Sequence, residues 1–174
     1  MTLKAGFIGY SFMGQAHSNA LNKLSMFFPE APDVERHVIV GRSEDAVEEA
    51  RDQFGFRKAA TDWESILDEI DVLYNLTPNH IHPEPSIEAL NRDVNVLCEK
   101  PLAPTLEEAE AMAAAAEDSD AVAAAAFNYR YCPAIQYARE LIEAGDLGEI
   151  HQVKGHYLQD WLVDPEAPWS WRLD

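Results

Sequence analysis

The chain has 174 residues, of which 47% are hydrophobic, and this is enough apolar material for a packed globular core. Its 31 Asp and Glu residues outnumber its 13 Lys and Arg residues, which gives a formal net charge of −18. A surface this acidic repels phosphate backbones and anionic lipid, so the composition argues against a nucleic acid or a membrane as partner.

The charge and the cysteines also indicate a cellular setting. Repulsion between carboxylates is screened within about 3 Å near 1 M salt. A high-salt cytoplasm is therefore one interpretation, and an acidic mesophilic protein is the alternative. Cys98 and Cys132 form neither a disulfide framework nor a metal site, which favours a reducing compartment. The sequence lacks a signal-peptide pattern and a run of about eighteen apolar residues, so we expect a cytoplasmic protein that spans no membrane. The histidines share no metal-ligand spacing with carboxylates or cysteines, so we expect no bound metal.

Short apolar runs alternate with helical patterns along residues 1–128. This alternation is typical of βαβ units, and it predicts an α/β fold with a Rossmann-type, doubly wound parallel sheet. We predict six strands, at residues 5–9, 37–40, 57–59, 71–76, 94–98 and 121–127.

Local signals mark the ends of the predicted helices. Thr61 with Glu64 and Thr105 with Glu108 have the spacing of capping boxes. Glycines at positions 55 and 145 are placed as C-terminal caps, and a proline at 133 is placed to open a helix. The helix after Thr105 has one apolar face that we expect in the core. Its residues are Leu106, Ala109, Met112, Ala113 and Ala116.

The first strand runs into "GFIGYSFMGQAHSNAL", which varies the G-x-G-x-x-G dinucleotide loop. Gly9 supplies the tight turn and Gly14 allows the helix to pack on the strand, while Ser11 replaces the middle glycine and offers a hydroxyl to a phosphate. Because a strand precedes the loop and a helix follows it, we predict that the loop binds a pyrophosphate at the helix N-terminus. An ordinary strand-to-helix turn is the alternative. The predicted binding residues are Gly9, Tyr10, Ser11, Phe12, Met13 and Gly14.

The second strand ends in "VIVGRSED", which bears on the choice of coenzyme. An acidic residue near this point favours the ribose of NAD, whereas an arginine accommodates the 2′-phosphate of NADP. Arg42 occupies this neighbourhood, so we expect NADP to be preferred, with NAD as the alternative. Arg42 has a second interpretation, in which it stacks on adenine or faces solvent beside Glu44 and Asp45.

Polar residues follow the fourth and fifth strands, in "LTPNHIHPEPSIEAL" and "VLCEKPLAPTLEEAEAM". The carboxyl ends of parallel strands are where such folds bind ligands. Together with "FNYRYCPAIQYARELIEAGDLGEI" and "WSWR", these stretches resemble the glucose–fructose oxidoreductase, inositol dehydrogenase and MocA family of NAD(P)-dependent oxidoreductases. The resemblance covers essentially the entire chain.

The resemblance implies roles for individual residues. It places a loop beside the nicotinamide ribose, a catalytic lysine in an EKP motif, a polar motif after the sixth strand and a Trp-Arg pair that approaches the nicotinamide. The matching residues are, in that order, Thr77, Pro78, Asn79 and His82; Glu99 and Lys100; Asn128 and Arg130; and Trp171 and Arg172.

Two of these assignments, those of Lys100 and His82, have alternatives. Hydride transfer from a carbinol needs a group that moves the hydroxyl proton, for which Lys100 is the candidate. A surface pair of Lys100 with Glu99 is the other interpretation. His82 either orients polar groups near the ribose or caps the next helix. We expect His17, within the first helix, to serve packing or the polarity of the helix face.

The expected function is hydride transfer between a nicotinamide coenzyme and a sugar, cyclitol or related polyol. Residues 1–128 would form the dinucleotide-binding domain, and residues 129–174, strand-like at first, would begin a substrate and oligomerisation domain. The resemblance implies a further Asp and His in catalysis, which nothing here matches, so we expect coenzyme binding with little turnover. The resemblance also implies a homo-oligomer at full length. The alternatives are a non-catalytic nucleotide-binding subunit and an NAD-dependent glycoside hydrolase.

Overall fold

A computed structural model describes residues 2–160, 163–166 and 168. The chain divides into two compact units, Met1–Asn128 and Tyr129–Asp174, each of which is described by itself.

The first unit is built on a six-stranded sheet in which every pairing is parallel. The order of its strands in space is β3-β2-β1-β4-β5-β6, so the chain winds outward in one direction and then in the other from β1. This confirms the predicted sheet and its six strands. They are β1 (Thr2–Ile8), β2 (Asp33–Val40), β3 (Lys58–Ala60), β4 (Val72–Asn75), β5 (Asn95–Cys98) and β6 (Ala123–Ala125).

Helices connect the strands and cover both faces of the sheet. Neighbouring strand residues point to opposite faces, so Phe7 and Ile39 belong to one apolar cluster, whereas Ile8 and Val40 belong to another. A 3-10 helix, Glu64–Glu69, joins β3 to β4. The α-helices of this unit are α1 (Phe12–Phe27), α2 (Glu44–Phe54), α3 (Pro83–Asn91) and α4 (Leu106–Asp118).

One of the two predicted capping boxes is present. The Thr105 hydroxyl accepts from the Glu108 amide at 3.2 Å and donates to the Glu108 carboxylate at 2.8 Å. The prediction at Thr61 was wrong, because Asp62 Oδ1 accepts from the Glu64 amide at 3.0 Å instead. An aspartate two residues before an amide closes this tight local turn without help from the preceding threonine.

The apolar face predicted for α4 is only partly in the core. Met112 is 4% exposed, and Ala116 packs against the core cluster, but Leu106 is 70% exposed and Ala113 is exposed. The helix packs against α3 along one side. Leu106 is the first residue of α4, where the chain has only just left the preceding loop, and the described residues do not cover it.

The second unit contains α5 (Pro133–Glu143), which begins with the predicted proline. Gly145 follows the helix in the left-handed region, at φ 79°, and Gly55 does the same after α2, at φ 73°, so both predicted glycine caps are confirmed. The strand-like stretch at residues 151–160 forms neither helix nor strand. A strand needs a hydrogen-bonding neighbour, and the described part of this unit supplies none.

None of the helices in the described ranges is long and apolar enough to cross a membrane.

Candidate functional site

The turn from β1 into α1 lies where the order of the sheet reverses, since β2 pairs with one side of β1 and β4 with the other. Gly9 sits in this turn at φ 106°, which an L side chain rarely adopts. A Cβ atom on Gly9 would also lie 2.9 Å from the Leu76 carbonyl oxygen. Position 9 therefore requires glycine for two reasons: the backbone conformation disfavours an L side chain, and the Leu76 carbonyl oxygen leaves no space for one.

Gly14 allows α1 to begin close to the turn. A Cβ atom on Gly14 would lie 2.7 Å from the Gly9 carbonyl oxygen, so only glycine fits without a shift of the backbone. Ser11, at the middle glycine position, is exposed as the N-cap residue of α1, but its side chain forms no cap hydrogen bond. The amides of the first turn and the Ser11 hydroxyl together are suited to an anion.

The rest of this loop is divided between surface and core. The Phe12 side chain is 78% exposed, and Met13 packs against the cluster around Phe7. The ring of Tyr10 lies directly on Gly41, since a Cβ atom on that glycine would be 1.9 Å from Tyr10 Cε1. This contact brings the loop together with the end of β2.

Arg42 follows Gly41 and is exposed. The next residue, Ser43, caps α2 and accepts a hydrogen bond from the Ala46 amide at 3.5 Å. Arg42 is thus held between the end of a strand and the start of a helix.

A buried asparagine organises the loop after β4. Asn75 Nδ2 donates to the His82 carbonyl oxygen and to Ser86 Oγ, each at 3.0 Å, and Asn75 Oδ1 accepts from Thr77 Oγ1 at 2.7 Å. Asn75 is fully buried. Sequence reasoning missed this residue, although a lone polar side chain in the apolar run "DVLYNL" was a usable signal.

The His82 ring joins two loops of the site. Its Nε2 lies 2.8 Å from the Thr77 carbonyl oxygen, and its Nδ1 lies 3.0 Å from that of Pro101 and 3.3 Å from that of Leu102. The residue is 1% exposed. His82 is the N-cap residue of α3, and its carbonyl oxygen accepts from the Ser86 amide at 3.3 Å, but its side chain forms no cap bond to the helix. The ring instead fixes the loop that holds Pro78 and Asn79 against the loop that follows Lys100.

Glu99, just after β5, is bonded through both carboxylate oxygens. Oε1 lies 2.9 Å from His17 Nε2, and Oε2 accepts from the Lys100 amide at 3.1 Å. The two side chains are only 16% (His17) and 8% (Glu99) exposed. Burial on its own would raise the pKa of Glu99, but the hydrogen bonds from His17 and from the Lys100 amide hold this pKa below its usual value. Glu99 is therefore an anion at neutral pH.

Lys100 is exposed beside this buried carboxylate. In the described part of the chain no side chain forms a hydrogen bond or an ion pair with its ammonium group, so this group is available to a ligand. Burial raises the pKa of the nearby Cys98 thiol to about 12, which makes Cys98 unsuited as a nucleophile. Across residues 2–160, 163–166 and 168, no group of three or more His, Cys, Asp or Glu residues is placed to hold a metal.

Four predicted residues are described apart from this cluster. Asn128 ends the first unit after β6, and its amide donates to the Ala126 carbonyl oxygen at 2.9 Å. Arg130 belongs to the second unit. Trp171 and Arg172 lie outside the described residues.

Comparison with known proteins gives this arrangement a family. Residues 3–127 match the GFO/IDH/MocA oxidoreductase family with an NAD-binding Rossmann fold, and residues 135–174 match the GFO/IDH/MocA C-terminal domain. The chain belongs to the GFO/IDH/MocA family. The resemblance inferred from the motifs is thereby confirmed.

Two curated relatives to which the chain is similar are sugar dehydrogenases by name. The chain is 45% identical over 174 residues to levoglucosan dehydrogenase of Pseudarthrobacter phenanthrenivorans, covering 98% of this chain and 45% of the relative. It is 34% identical over 107 residues to the D-xylose 1-dehydrogenase [NADP(+)] of Haloarcula marismortui, covering 62% of this chain and 30% of the relative.

The structure of a levoglucosan dehydrogenase in complex with NADH and levoglucosan superposes with a TM-score of 0.95 at 44% identity. That match covers 99% of this chain and 47% of the other. The chain thus spans about half the length of levoglucosan dehydrogenase.

Proposed function

We propose that this chain is the coenzyme-binding part of an NAD(P)-dependent dehydrogenase that acts on a sugar, cyclitol or related polyol. The observation that carries the proposal is the corner where the glycine-lined turn before α1 meets the ends of β4 and β5, with Lys100 at the last of these. The family match and the two sugar dehydrogenases among the relatives support it. The match of residues 135–174 to the C-terminal domain supports residues 129–174 as the start of a substrate domain.

The residues at the β1–α1 turn fit a dinucleotide. Gly9 and Gly14 leave no room for side chains, so the backbone of the turn can approach a pyrophosphate closely. The unpaired amides at the start of α1 and the helix dipole receive its negative charge. This local field matters because the chain as a whole carries −18 and repels an anionic ligand.

We infer a preference for NADP from Arg42. A charge-assisted bond to the 2′-phosphate contributes roughly 1.5–3 kcal/mol, or ten- to hundredfold in affinity. The relatives include both coenzymes, since the levoglucosan dehydrogenase structure holds NADH and the Haloarcula enzyme is named for NADP.

Fluorescence titration of the chain with NADPH and NADH tests both proposals. We expect both to bind and NADPH to bind about ten- to hundredfold more tightly, with Arg42→Ala removing most of that difference. Arg57→Ala is the matched control, because Arg57 is also an exposed arginine but pairs with Glu35. Tighter binding of NADH by the wild type contradicts the preference, and failure to bind either coenzyme contradicts the site.

Lys100 is the residue of this chain that we assign to proton transfer. A bound oxidised nicotinamide would accept a hydride from the carbinol carbon when the substrate is oxidised. The hydroxyl of that carbon must then release a proton, and the amine of Lys100 lies at the strand end where it can accept it. Glu99 and His82 hold the backbone on either side of Lys100 through the hydrogen bonds described above.

Replacement of Lys100 in the complete enzyme tests this role. Lys100→Met removes the amine but keeps an unbranched side chain of similar length. We expect kcat to fall by about 10²–10⁴, the usual contribution of a general acid or base, while the dissociation constant for the coenzyme changes less than about threefold. Lys154→Met, a change of the same kind in the second unit, is the control. Unchanged turnover would exclude the catalytic role.

A further inference from the structure

We propose that His17 is a positioning residue for Lys100, acting through the carboxylate of Glu99, and that it links the coenzyme-binding helix α1 to the strand end that carries the lysine. The catalytic meaning of this link rests on the proposed function of Lys100. The link itself is a statement about hydrogen bonds and is testable without turnover.

Apolar contacts fix the direction of the His17 ring. His17 lies three residues after Gly14 on α1, so the close approach of the helix at Gly14 brings His17 down onto the sheet. Its ring meets Phe7 of β1 edge-on at 6.5 Å between centroids and Tyr74 of β4 at 5.7 Å. In this position, Nε2 of His17 contacts the carboxylate of Glu99 just after β5. The His17 side chain therefore links β1, β4 and the end of β5, which are adjacent in the sheet.

The protonation of the pair follows from the same geometry. Glu99 is an anion, so the atom that faces Oε1 must carry a hydrogen, and His17 donates through Nε2. Among the described residues, the titratable side chains in contact with the His17 ring are those of Glu99 and Tyr74, and the Lys100 amide is bonded to the other oxygen of the Glu99 carboxylate. Two donors thus hold the carboxylate in one rotamer, with Oε2 under the Lys100 amide.

Removal of the His17 donor leaves a buried carboxylate with one protein hydrogen bond in place of two. Such a group gains by turning toward solvent, because an under-bonded buried charge is costly. If it turns, the Lys100 amide loses its acceptor, and the start of the lysine's loop is free to move. A shift of this kind misplaces an acid or base without changing the groups that contact the coenzyme pyrophosphate.

Selective labelling makes the link visible in the chain itself. The chain has five lysines, Lys4, Lys23, Lys58, Lys100 and Lys154, so [15N]lysine gives five backbone amide signals. The Lys100 signal is the one that Lys100→Arg removes. We expect its hydrogen exchange to be about tenfold faster in His17→Leu, which loses the donor, and to stay within about twofold of wild type in His17→Gln, whose amide reaches the Nε2 position.

His37→Leu is the matched control. His37 also contacts two carboxylates, Glu35 and Glu69, but neither of them is bonded to Lys100. We expect this variant to leave the Lys100 amide signal unchanged. The proposal is overturned if His17→Leu leaves Lys100 exchange unchanged, or if His37→Leu accelerates it equally.

A measurement on the wild type covers the case in which His17→Leu does not fold. Nitrogen-15 spectra of the histidine rings at neutral pH report which nitrogen carries hydrogen. We expect Nε2 of His17 to be protonated and coupled across the hydrogen bond to Glu99. An unprotonated Nε2 overturns the proposal.

Kinetics of the complete enzyme connect the link to catalysis. We expect His17→Leu to lower kcat about tenfold with the KM for the coenzyme within about twofold, and His17→Gln to restore most of kcat. A rise in the KM alone contradicts positioning of Lys100. If the wild type binds coenzyme but transfers no hydride, the proposed function fails while the Lys100 exchange data still decide the link.

Discussion

Within the described residues, two histidines contact carboxylates, and the two clusters end in different kinds of groups. The His17–Glu99 pair ends in the backbone amide of Lys100. The His37 cluster joins Glu35 at 2.9 Å and Glu69 at 3.3 Å, and those carboxylates pair onward with the exposed side chains of Arg57 and Lys58. The first cluster therefore fixes the path of the chain, whereas the second distributes charge among flexible side chains.

His82 extends the first kind of arrangement. It is buried, and its ring nitrogens face carbonyl oxygens in two loops, the one that follows β4 and the one that follows β5. Asn75 ties the same region together from beneath, through the His82 carbonyl oxygen. The comparison shows that a histidine cluster fixes the path of the main chain where it ends in backbone atoms. Where it ends in exposed side chains, it only distributes charge.

The largest expected effect comes from breaking the buried arrangement at His82. In His82→Leu the carbonyl oxygens of Thr77 and Pro101 lose the ring that contacts both of them, and with it a buried hydrogen bond, and we expect a loss of about 2–4 kcal/mol in the free energy of unfolding. His37→Leu, which frees carboxylates that keep exposed cationic partners, should cost about 1 kcal/mol or less. Urea unfolding of both variants measures the difference. Equal losses would show that the two clusters do not differ in this way.

The sequence predicts the frame of the site better than its interior. Strand ends and glycines follow local rules, so Gly9, Gly14 and the corners after β4 and β5 were found from the pattern alone. The partner of His17 lies 82 residues away, and the partners of the His82 ring include carbonyl oxygens 19 and 20 residues away. No local period encodes such pairs, because they arise only when the sheet brings separate strand ends together.

The failures of sequence reasoning have the same origin. The apolar face of α4 was assigned from its period, but a period does not say how far a neighbouring element extends along the helix, and Leu106 lies beyond the covered part. The role of Asp62 was missed because two capping patterns overlapped and the shorter turn formed. Arg42 remains a prediction, since its assignment depends on the ligand it meets.

A smaller expected effect is the pH dependence of folding stability that Glu99 and Glu69 contribute to the two clusters. The hydrogen bonds from Lys58 and His37 lower the pKa of Glu69, and the pKa of Glu99 is lowered despite its burial. A lowered pKa in the folded state stabilises the protein above the unfolded value, near 4.5, and this contribution is lost as pH falls through the folded pKa.

We therefore expect the stability advantage of wild type over Glu99→Gln and over Glu69→Gln to shrink as pH falls from about 6 to 3. Unfolding in urea at a series of pH values measures both. Because Glu69 is partly exposed, added salt should weaken its contribution, and the contribution of Glu99 should change little. Equal salt sensitivity would contradict the assignment of Glu99 to a sheltered cluster.

The smallest expected effect concerns the surface as a whole. With a net charge of −18, we expect repulsion between exposed carboxylates to outweigh the surface ion pairs, and salt shortens the range of this repulsion from about 10 Å at 0.1 M to about 3 Å at 1 M. We expect Tm to rise by about 5 °C over this range. The double variant Glu110→Lys and Glu117→Lys reverses two exposed charges on α4, which changes the net charge from −18 to −14. It should melt higher at low salt and respond less to added salt. If Tm does not rise with salt in the wild type, self-repulsion is not what limits stability, and adaptation to a high-salt cytoplasm loses its physical basis.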